Sequence, residues 1–200
     1  MNLATEEIAV TAARLVVDEG LEYAAAKRRA ARDLARHGAR GGRQPELPPD
    51  DALEAAVREH IAIFCADTQP GELAALRHTA RAWMRRLAEF RPHLGGAAWR
   101  GTATRLSCLH LDLYCDDSKA AEIALINAGI AFDLAPGSSV DQSVLTVTSP
   151  SRELGEAVTL HLHLHDHDAL RGALKPDAQG RSWRGDLVAL ERLLAQEPAP

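Results

Sequence analysis

The spacing of apolar residues changes near Pro92, and this change constrains the fold more than any other feature of the sequence. Before Pro92, apolar residues recur every three to four positions, which is typical of amphipathic helices. Further on, Leu106 to Cys115 alternates apolar and polar residues, which is typical of a strand with one buried face. We therefore predict an α+β protein with a helical domain over 1–91 and a mixed β-sheet with flanking helices over 92–200.

The part of the sequence before Pro92 predicts four amphipathic helices that pack as a small bundle. Thr5 is expected to cap the first helix, and Asp50 or Asp51 the third. The approximate bounds of the four are 5–19, 22–37, 50–64 and 71–87. A loop is predicted over 38–49, because this segment is rich in Gly, Arg and Pro.

The part after Pro92 predicts strands that alternate with short helices. The expected strands are 106–115, 130–134, 144–148 and 157–165, and the expected helices are about 118–128, 166–174 and 183–195. The first two strands and the helix between them predict a right-handed β-α-β unit.

Composition and charge exclude several classes of protein. The chain is 46% hydrophobic and 26% charged, which is an ordinary globular balance and not that of a disordered or fibrous protein. No apolar run approaches the roughly 20 residues that cross a bilayer, so we expect a soluble, cytoplasmic protein without membrane contact. Three cysteines are too few for a disulfide framework. The net charge of −5 lies entirely in the second half, since residues 1–91 hold 14 basic and 14 acidic side chains.

The segment after Trp99 carries the most informative motif. Gly101 followed by the small Thr102 predicts a tight turn whose backbone amides can approach a phosphate. Together with Ser107, this turn resembles the signature of the nucleotidyltransferase superfamily, a Gly-Ser turn followed by a Ser-Asp-x-Asp strand. The run from Trp99 to Arg105 also resembles a group of proteobacterial proteins. The resemblance implies a nucleotidyltransferase-like sheet that binds a nucleotide through Gly101, Thr102, Arg105 and Ser107.

The two carboxylates of that signature are missing from this sequence. Cys108 and His110 stand in their positions. Asp112, one pleat further along the same face, stays as the single candidate catalytic residue, and a two-metal site cannot be built from one carboxylate. We therefore expect binding of a nucleotide or phosphate ligand with weak or no transferase activity. The alternative is that Gly101 serves only a tight turn.

A row of histidines suggests a second candidate site. In the predicted strand 157–165, three leucines would face the core while His161, His163 and His165 share the other face. Imidazoles two residues apart on a strand can reach one zinc, nickel or copper ion. If this strand lies beside the strand of His110 and Asp112, up to five ligands would converge. Mg²⁺ and Zn²⁺ both stay open as cofactors, and the alternative is a solvent-facing polar row.

Basic residues form two further patches. One lies on the second helix and the loop after it, and the other forms a stripe on the fourth helix: Lys27, Arg28, Arg29, Arg32, Arg36, Arg40 and Arg43, and Arg77, Arg81 and Arg85. Such patches can contact phosphates or acidic partners, so a nucleic-acid-associated regulatory factor is a further alternative. The competing interpretation is a solvated helix face.

Overall fold

The structure is a computed structural model that describes residues 3–37, 46–136, 143–173, 180 and 182–196. The chain divides into two compact units, residues 1–70 and residues 71–200. Within the described residues, no helix is both long enough and apolar enough to cross a membrane.

The first unit is built from three helices: α1 (Leu3–Glu19), α2 (Tyr23–His37) and α3 (Asp50–Phe64). Its core is formed by buried aliphatic residues that include Ile8 and Leu53. The predicted cap at Thr5 is wrong, because α1 already includes Leu3 and the Thr5 hydroxyl donates to the carbonyl of Glu46 at 3.3 Å. Pro49, not Asp50 or Asp51, precedes the first turn of α3. Part of the predicted loop, 38–45, lies outside the described residues.

The second unit is a five-stranded mixed sheet with helices, which confirms the predicted α+β class. The elements in chain order are α4 (Gln69–Arg86), β1 (His93–Gly95), α5 (Gly96–Arg100), β2 (Leu109–Tyr114), α6 (Ser118–Asn127), β3 (Asp133–Pro136), β4 (Ser143–Ser151), β5 (Glu156–His165), α7 (Leu170–Ala173) and α8 (Leu187–Gln196). Asp117 caps α6, since its carboxylate accepts from the backbone N–H of Lys119 at 2.9 Å.

The strands lie in the order β1-β2-β5-β4-β3. β2 and β5 pair in parallel, and the other neighbouring strands are antiparallel. The predicted β-α-β unit is present only in part: β2 and β3 run in the same direction, but β5 and β4 lie between them. One edge of β2 pairs with β5, which is distant in sequence. The other edge pairs with β1, which was not predicted.

The fourth helix belongs to the sheet unit and not to a four-helix bundle. Leu76, Ala80 and Met84 of α4 are fully buried in the same core as the leucines of β2 and β5. The boundary therefore lies at about residue 70, whereas the sequence predicted residue 91. A helical pattern shows which side of a helix is apolar, but not which element covers that side.

Candidate functional site

The predicted polar face of the sheet is present. β2 and β5 are neighbours with His110 opposite His161, Asp112 opposite His163, and Tyr114 opposite His165. The leucines between them on both strands are buried, so the alternation predicted for β5 is confirmed. The strand pairing that the metal hypothesis required therefore exists.

Three imidazoles form one cluster on this face. His110 Nδ1 and His163 Nε2 lie 3.0 Å apart, which makes a hydrogen bond in which one nitrogen donates and the other accepts. The ring centre of His110 lies 5.3 Å from the ring centres of both His161 and His163. On its other side, His161 Nδ1 lies 3.1 Å from the hydroxyl of Thr146 on β4. We call His110, His161 and His163 the imidazole cluster.

Asp112 is held by a separate network beside the imidazole cluster. Its Oδ1 accepts a 2.6 Å hydrogen bond from His165 Nε2, and its Oδ2 lies 3.0 Å from the guanidinium of Arg184. Arg184 also donates to the Tyr114 hydroxyl at 3.0 Å. Burial raises the pKa of Asp112, but the hydrogen bond from His165 and the charge of Arg184 outweigh burial and hold that pKa below its usual value. Asp112 is therefore an ionised, fully paired carboxylate.

The electrostatics of the face favour neutral imidazole at His163. Burial and the neighbouring His110 lower the pKa of His163 to about 4, although the charge of Asp112 acts in the opposite direction. A neutral imidazole keeps a lone pair on one ring nitrogen, which can accept a hydrogen bond or bind a metal ion.

A segment that sequence reasoning missed completes this face. Gly185 makes backbone hydrogen bonds of 2.8 and 3.0 Å with Leu94 of β1, where a helix beginning at Trp183 was predicted. The indole of Trp99 donates to the carbonyl of Ser182 at 2.9 Å and lies against Gly185. This placement brings Arg184 to Asp112, and no local pattern around an isolated arginine predicts such a contact.

The residues of the face do not fit a magnesium ion. Mg²⁺ requires oxygen ligands, but the one carboxylate at its centre, Asp112, is already bound to His165 and Arg184. Imidazole nitrogens suit Zn²⁺ and similar ions instead. As the side chains stand, no three His, Cys, Asp or Glu residues in the described parts of the chain surround a single ion position.

The glycine turn closes the end of α5. Gly101 has a φ of +82° and ends α5, so the turn presents the carbonyl end of a short helix. The Thr102 amide donates back to the carbonyl of Ala97 at 2.9 Å, and Arg77 donates to the carbonyls of Ala98 and Trp99. The amides that were expected to approach a phosphate are therefore engaged within the turn.

The other two predicted phosphate ligands are also engaged. The Arg105 side chain donates to Glu156 at 3.0 Å, and this hydrogen bond raises the pKa of Arg105. The backbone N–H of Arg105 donates to Glu72 at 2.9 Å. The Ser107 hydroxyl accepts from the Thr104 amide at 3.0 Å. All four predicted residues thus stabilise the entry to β2.

Sequence reasoning missed a groove between α4 and the edge of β4. It consists of two adjoining cavities of about 360 and 560 Å³ that share Trp83, Arg86, Ser149 and Pro150. The smaller cavity is lined by three arginines, Arg81, Arg86 and Arg152, and the larger one by Phe132, Asp133 and Thr146 among others. We call the two cavities together the arginine groove.

The surroundings of the three arginines in this groove contain little acidic charge among the described residues. Within the parts of the chain that the structure describes, no carboxylate pairs with Arg81, Arg86 or Arg152. Arg86 lies 5.2 Å above the ring of Trp83. Glu153, the carboxylate lining the smaller cavity, is bonded to His78 at 3.0 Å. The sequence had shown the basic stripe but not which of its members would share a cavity.

Several described members of the two basic patches are buried or paired with acidic side chains. On α4, Arg77 is buried and Arg85 pairs with Glu191 at 2.5 Å, so only Arg81 of the predicted stripe lines the groove. On α2, Lys27 pairs with Asp50 at 2.6 Å, Arg29 pairs with Glu19, and Arg36 lies 3.9 Å from Asp33. The predicted Arg40 and Arg43 lie outside the described residues.

No protein-family model and no curated protein matches this chain.

Proposed function

We propose that the sheet unit binds a nucleotide or another small organic phosphate in the arginine groove, with weak or no nucleotidyltransferase activity. The observation that supports this proposal is that three arginines line one cavity and that none of them is paired with a carboxylate among the residues that the structure describes. Guanidinium groups are suited to phosphate oxygens, because each offers several N–H donors in a planar fork. In this proposal the glycine turn is structural, and the phosphate is bound on α4 and the β4–β5 turn.

The size and lining of the groove suit a ligand larger than phosphate itself. Pockets for small organic ligands usually measure about 300 to 1,000 Å³, and the larger cavity alone measures about 560 Å³. It offers the ring of Phe132 for an apolar or aromatic group and the carboxylate of Asp133 for hydroxyl or amino donors. A phosphate beside Arg81 and Arg86 would leave the rest of a nucleotide in this larger cavity.

The absence of efficient transfer is part of the proposal. Two-metal phosphoryl transfer depends on carboxylates that hold both ions. Here Cys108, just before β2, and His110 within it stand in the two expected positions, and Asp112 is paired with Arg184 and His165. A phosphate-binding groove at β4, two strands away from β2, in a chain that lacks these carboxylates, supports a binding or regulatory function more than a transferase.

We expect Arg81→Gln and Arg86→Gln each to weaken binding of adenosine monophosphate by about ten- to one-hundred-fold. Each change removes a charge-assisted hydrogen bond worth about 1.5 to 3 kcal/mol, and 1.4 kcal/mol corresponds to a factor of ten in Kd. Isothermal titration calorimetry of the full chain with adenosine monophosphate, ribose 5-phosphate, inorganic phosphate and adenosine measures the effect and separates the contribution of the phosphate from that of the base.

Arg85→Gln is the matched control. Arg85 lies on the same helix, is exposed, and pairs with Glu191 outside the groove, so its loss should leave the Kd within a factor of two. The proposal is overturned if wild-type protein binds none of the three phosphates at millimolar concentration, or if Arg85→Gln weakens binding as much as Arg86→Gln. Binding of single-stranded RNA but of no small phosphate would also contradict it, in favour of a nucleic-acid-associated factor.

A further inference from the structure

We infer that the ligand of the arginine groove carries a guanine base, so that the site selects guanine over adenine nucleotides. This inference rests on the proposed binding of a nucleotide in the groove and adds which base the larger cavity recognises. The geometry that points to guanine is a carboxylate beside a hydroxyl, Asp133 and Thr146, both of which line that cavity. We call these two side chains the polar pair.

The polar pair is positioned by the pairing of β3 with β4. Asp133 lies directly opposite Thr146 in the antiparallel register. The two side chains therefore leave the sheet on the same face, and their Cβ atoms lie about 4.5 to 5.5 Å apart. Because β3 begins at Asp133, the pair lies at the end of the ladder between the two strands, where the cavity opens.

The hydrogen-bonding groups of the polar pair match one edge of guanine. That edge presents two adjacent N–H donors, at N1 and the 2-amino group, followed by the O6 acceptor. A carboxylate has two oxygens that can accept two parallel hydrogen bonds, and a threonine hydroxyl can donate one to O6. Adenine lacks the 2-amino group and has an acceptor at N1, so its N1 lone pair would face the carboxylate of Asp133.

The contacts of the polar pair leave both side chains able to bind a base. Asp133 is exposed, and no basic side chain among the described residues pairs with it. The Thr146 hydroxyl lies 3.1 Å from Nδ1 of His161. When this nitrogen carries a proton and donates it, the hydroxyl accepts, and its own proton can then be donated to O6 of the base.

The apolar part of the cavity suits a planar ring. Phe132 directly precedes Asp133, is half-buried and lines the same cavity, together with Ile130 and Trp83. Stacking on an aromatic side chain accepts any base, so Phe132 contributes affinity while the polar pair contributes selectivity. A group that both stacks on Phe132 and donates N–H groups to Asp133 is a base, which favours the base over the ribose hydroxyls as the partner of Asp133.

Isothermal titration calorimetry of the full chain with guanosine, inosine and adenosine monophosphates tests the inference. We expect guanosine monophosphate to bind about ten-fold more tightly than adenosine monophosphate, because a site that hydrogen-bonds a ligand N–H rejects an analogue that lacks it. Inosine monophosphate keeps N1–H and O6 but lacks the 2-amino group, so its Kd should lie between the other two. Equal Kd values for the guanine and adenine nucleotides overturn the inference and leave phosphate binding in the groove intact.

Asp133→Asn should remove the preference for guanine. An amide offers one acceptor oxygen where the carboxylate offers two, and its N–H₂ group can donate to N1 of adenine. The affinity for guanosine monophosphate should therefore fall about ten-fold, while that for adenosine monophosphate stays equal or rises. If the variant weakens both nucleotides equally, Asp133 binds the ribose that they share, and the inference is overturned.

Asp168→Asn is the matched control for Asp133→Asn. Asp168 is an exposed aspartate of the same unit, lies 4.0 Å from Arg171 and lines neither cavity, so its loss should leave both Kd values unchanged. A loss of guanine preference in this variant as large as that in Asp133→Asn would contradict recognition of the base by Asp133.

Thr146→Val gives an independent readout. Valine is favoured in strands, so the sheet should be kept while the hydroxyl is lost. Guanosine monophosphate should bind several-fold more weakly and adenosine monophosphate as before, whereas unchanged binding of guanosine monophosphate would overturn the inference. If none of the three nucleotides binds at millimolar concentration, the proposed phosphate binding fails together with the inference, so the two failures can be told apart.

Discussion

Gly185→Ala should lower the free energy of unfolding by about 3 kcal/mol, at the upper end of the usual cost of overpacking. A Cβ atom at Gly185 would lie 2.0 Å from Cη2 of Trp99 and within 2.6 Å of two further ring atoms. Trp99 would have to move, and its hydrogen bond to the carbonyl of Ser182 would be lost. Chemical denaturation followed by circular dichroism measures the change.

Gly71→Ala is the matched control, because a Cβ atom there has no neighbour within 4 Å and alanine is favoured in a helix. It should be neutral or stabilise the protein by up to about 1 kcal/mol. If Gly185→Ala proves as harmless as Gly71→Ala, the contact between Trp99 and Gly185 that places Arg184 beside Asp112 is wrong.

Arg77→Leu should destabilise the protein by about 2 to 4 kcal/mol. Arg77 is only 7% exposed and donates to the carbonyls of Ala98 and Trp99 at 2.9 and 3.2 Å. Leucine removes the guanidinium and leaves these acceptors without the donor that caps the end of α5, and each unsatisfied buried group costs about 1 to 3 kcal/mol. The shift of the urea midpoint, at unchanged m-value, gives the loss.

Arg85→Leu tests whether burial causes the effect of Arg77→Leu. Arg85 lies two turns further along α4, is 58% exposed in its side chain, and pairs with Glu191 at the surface. An exposed ion pair contributes about 0 to 1 kcal/mol, so this change should cost no more than that. Equal losses for the two variants would contradict a structural role of Arg77 beneath the glycine turn.

Periodic features of the fold could be predicted from the sequence. The alternation of leucine and histidine in β5 is a strict period of two, and the structure has the leucines buried and the histidines on the other face. On α4, Leu76, Ala80 and Met84 recur at helical spacing and are fully buried. In both cases the apolar residues recur on one face of a single element. This pattern can be recognised without knowing which other elements pack against that face.

Features that depend on long-range partners could not be predicted. The three-residue strand β1 and the five-residue helix α5 are too short for a periodic signal. Gly185 pairs with Leu94 across 91 positions of sequence, and Arg184 meets Asp112 only because of that pairing. The arginine groove depends in the same way on α4 lying beside β4, which the helical pattern does not specify.

The glycine turn shows that a local motif can be located from the sequence while its direction cannot. Gly101 does form a tight turn with positive φ, as a glycine in that position predicts. The direction in which the backbone amides of the turn point was not predictable. It depends on α5, and α5 was not predicted. Since α5 ends at Gly101, the Thr102 amide turns back to the carbonyl of Ala97 and does not point outward.

The most direct test of phosphate binding in the arginine groove is a two-dimensional ¹H–¹⁵N nuclear magnetic resonance titration of the full chain with adenosine monophosphate, compared with adenosine. We predict saturable shifts that concentrate on residues 81–86 and 149–153 with adenosine monophosphate and much smaller shifts with adenosine. Shifts confined to residues 101–107 would place the phosphate at the glycine turn and contradict the proposed site. No shifts at millimolar ligand would contradict phosphate binding itself.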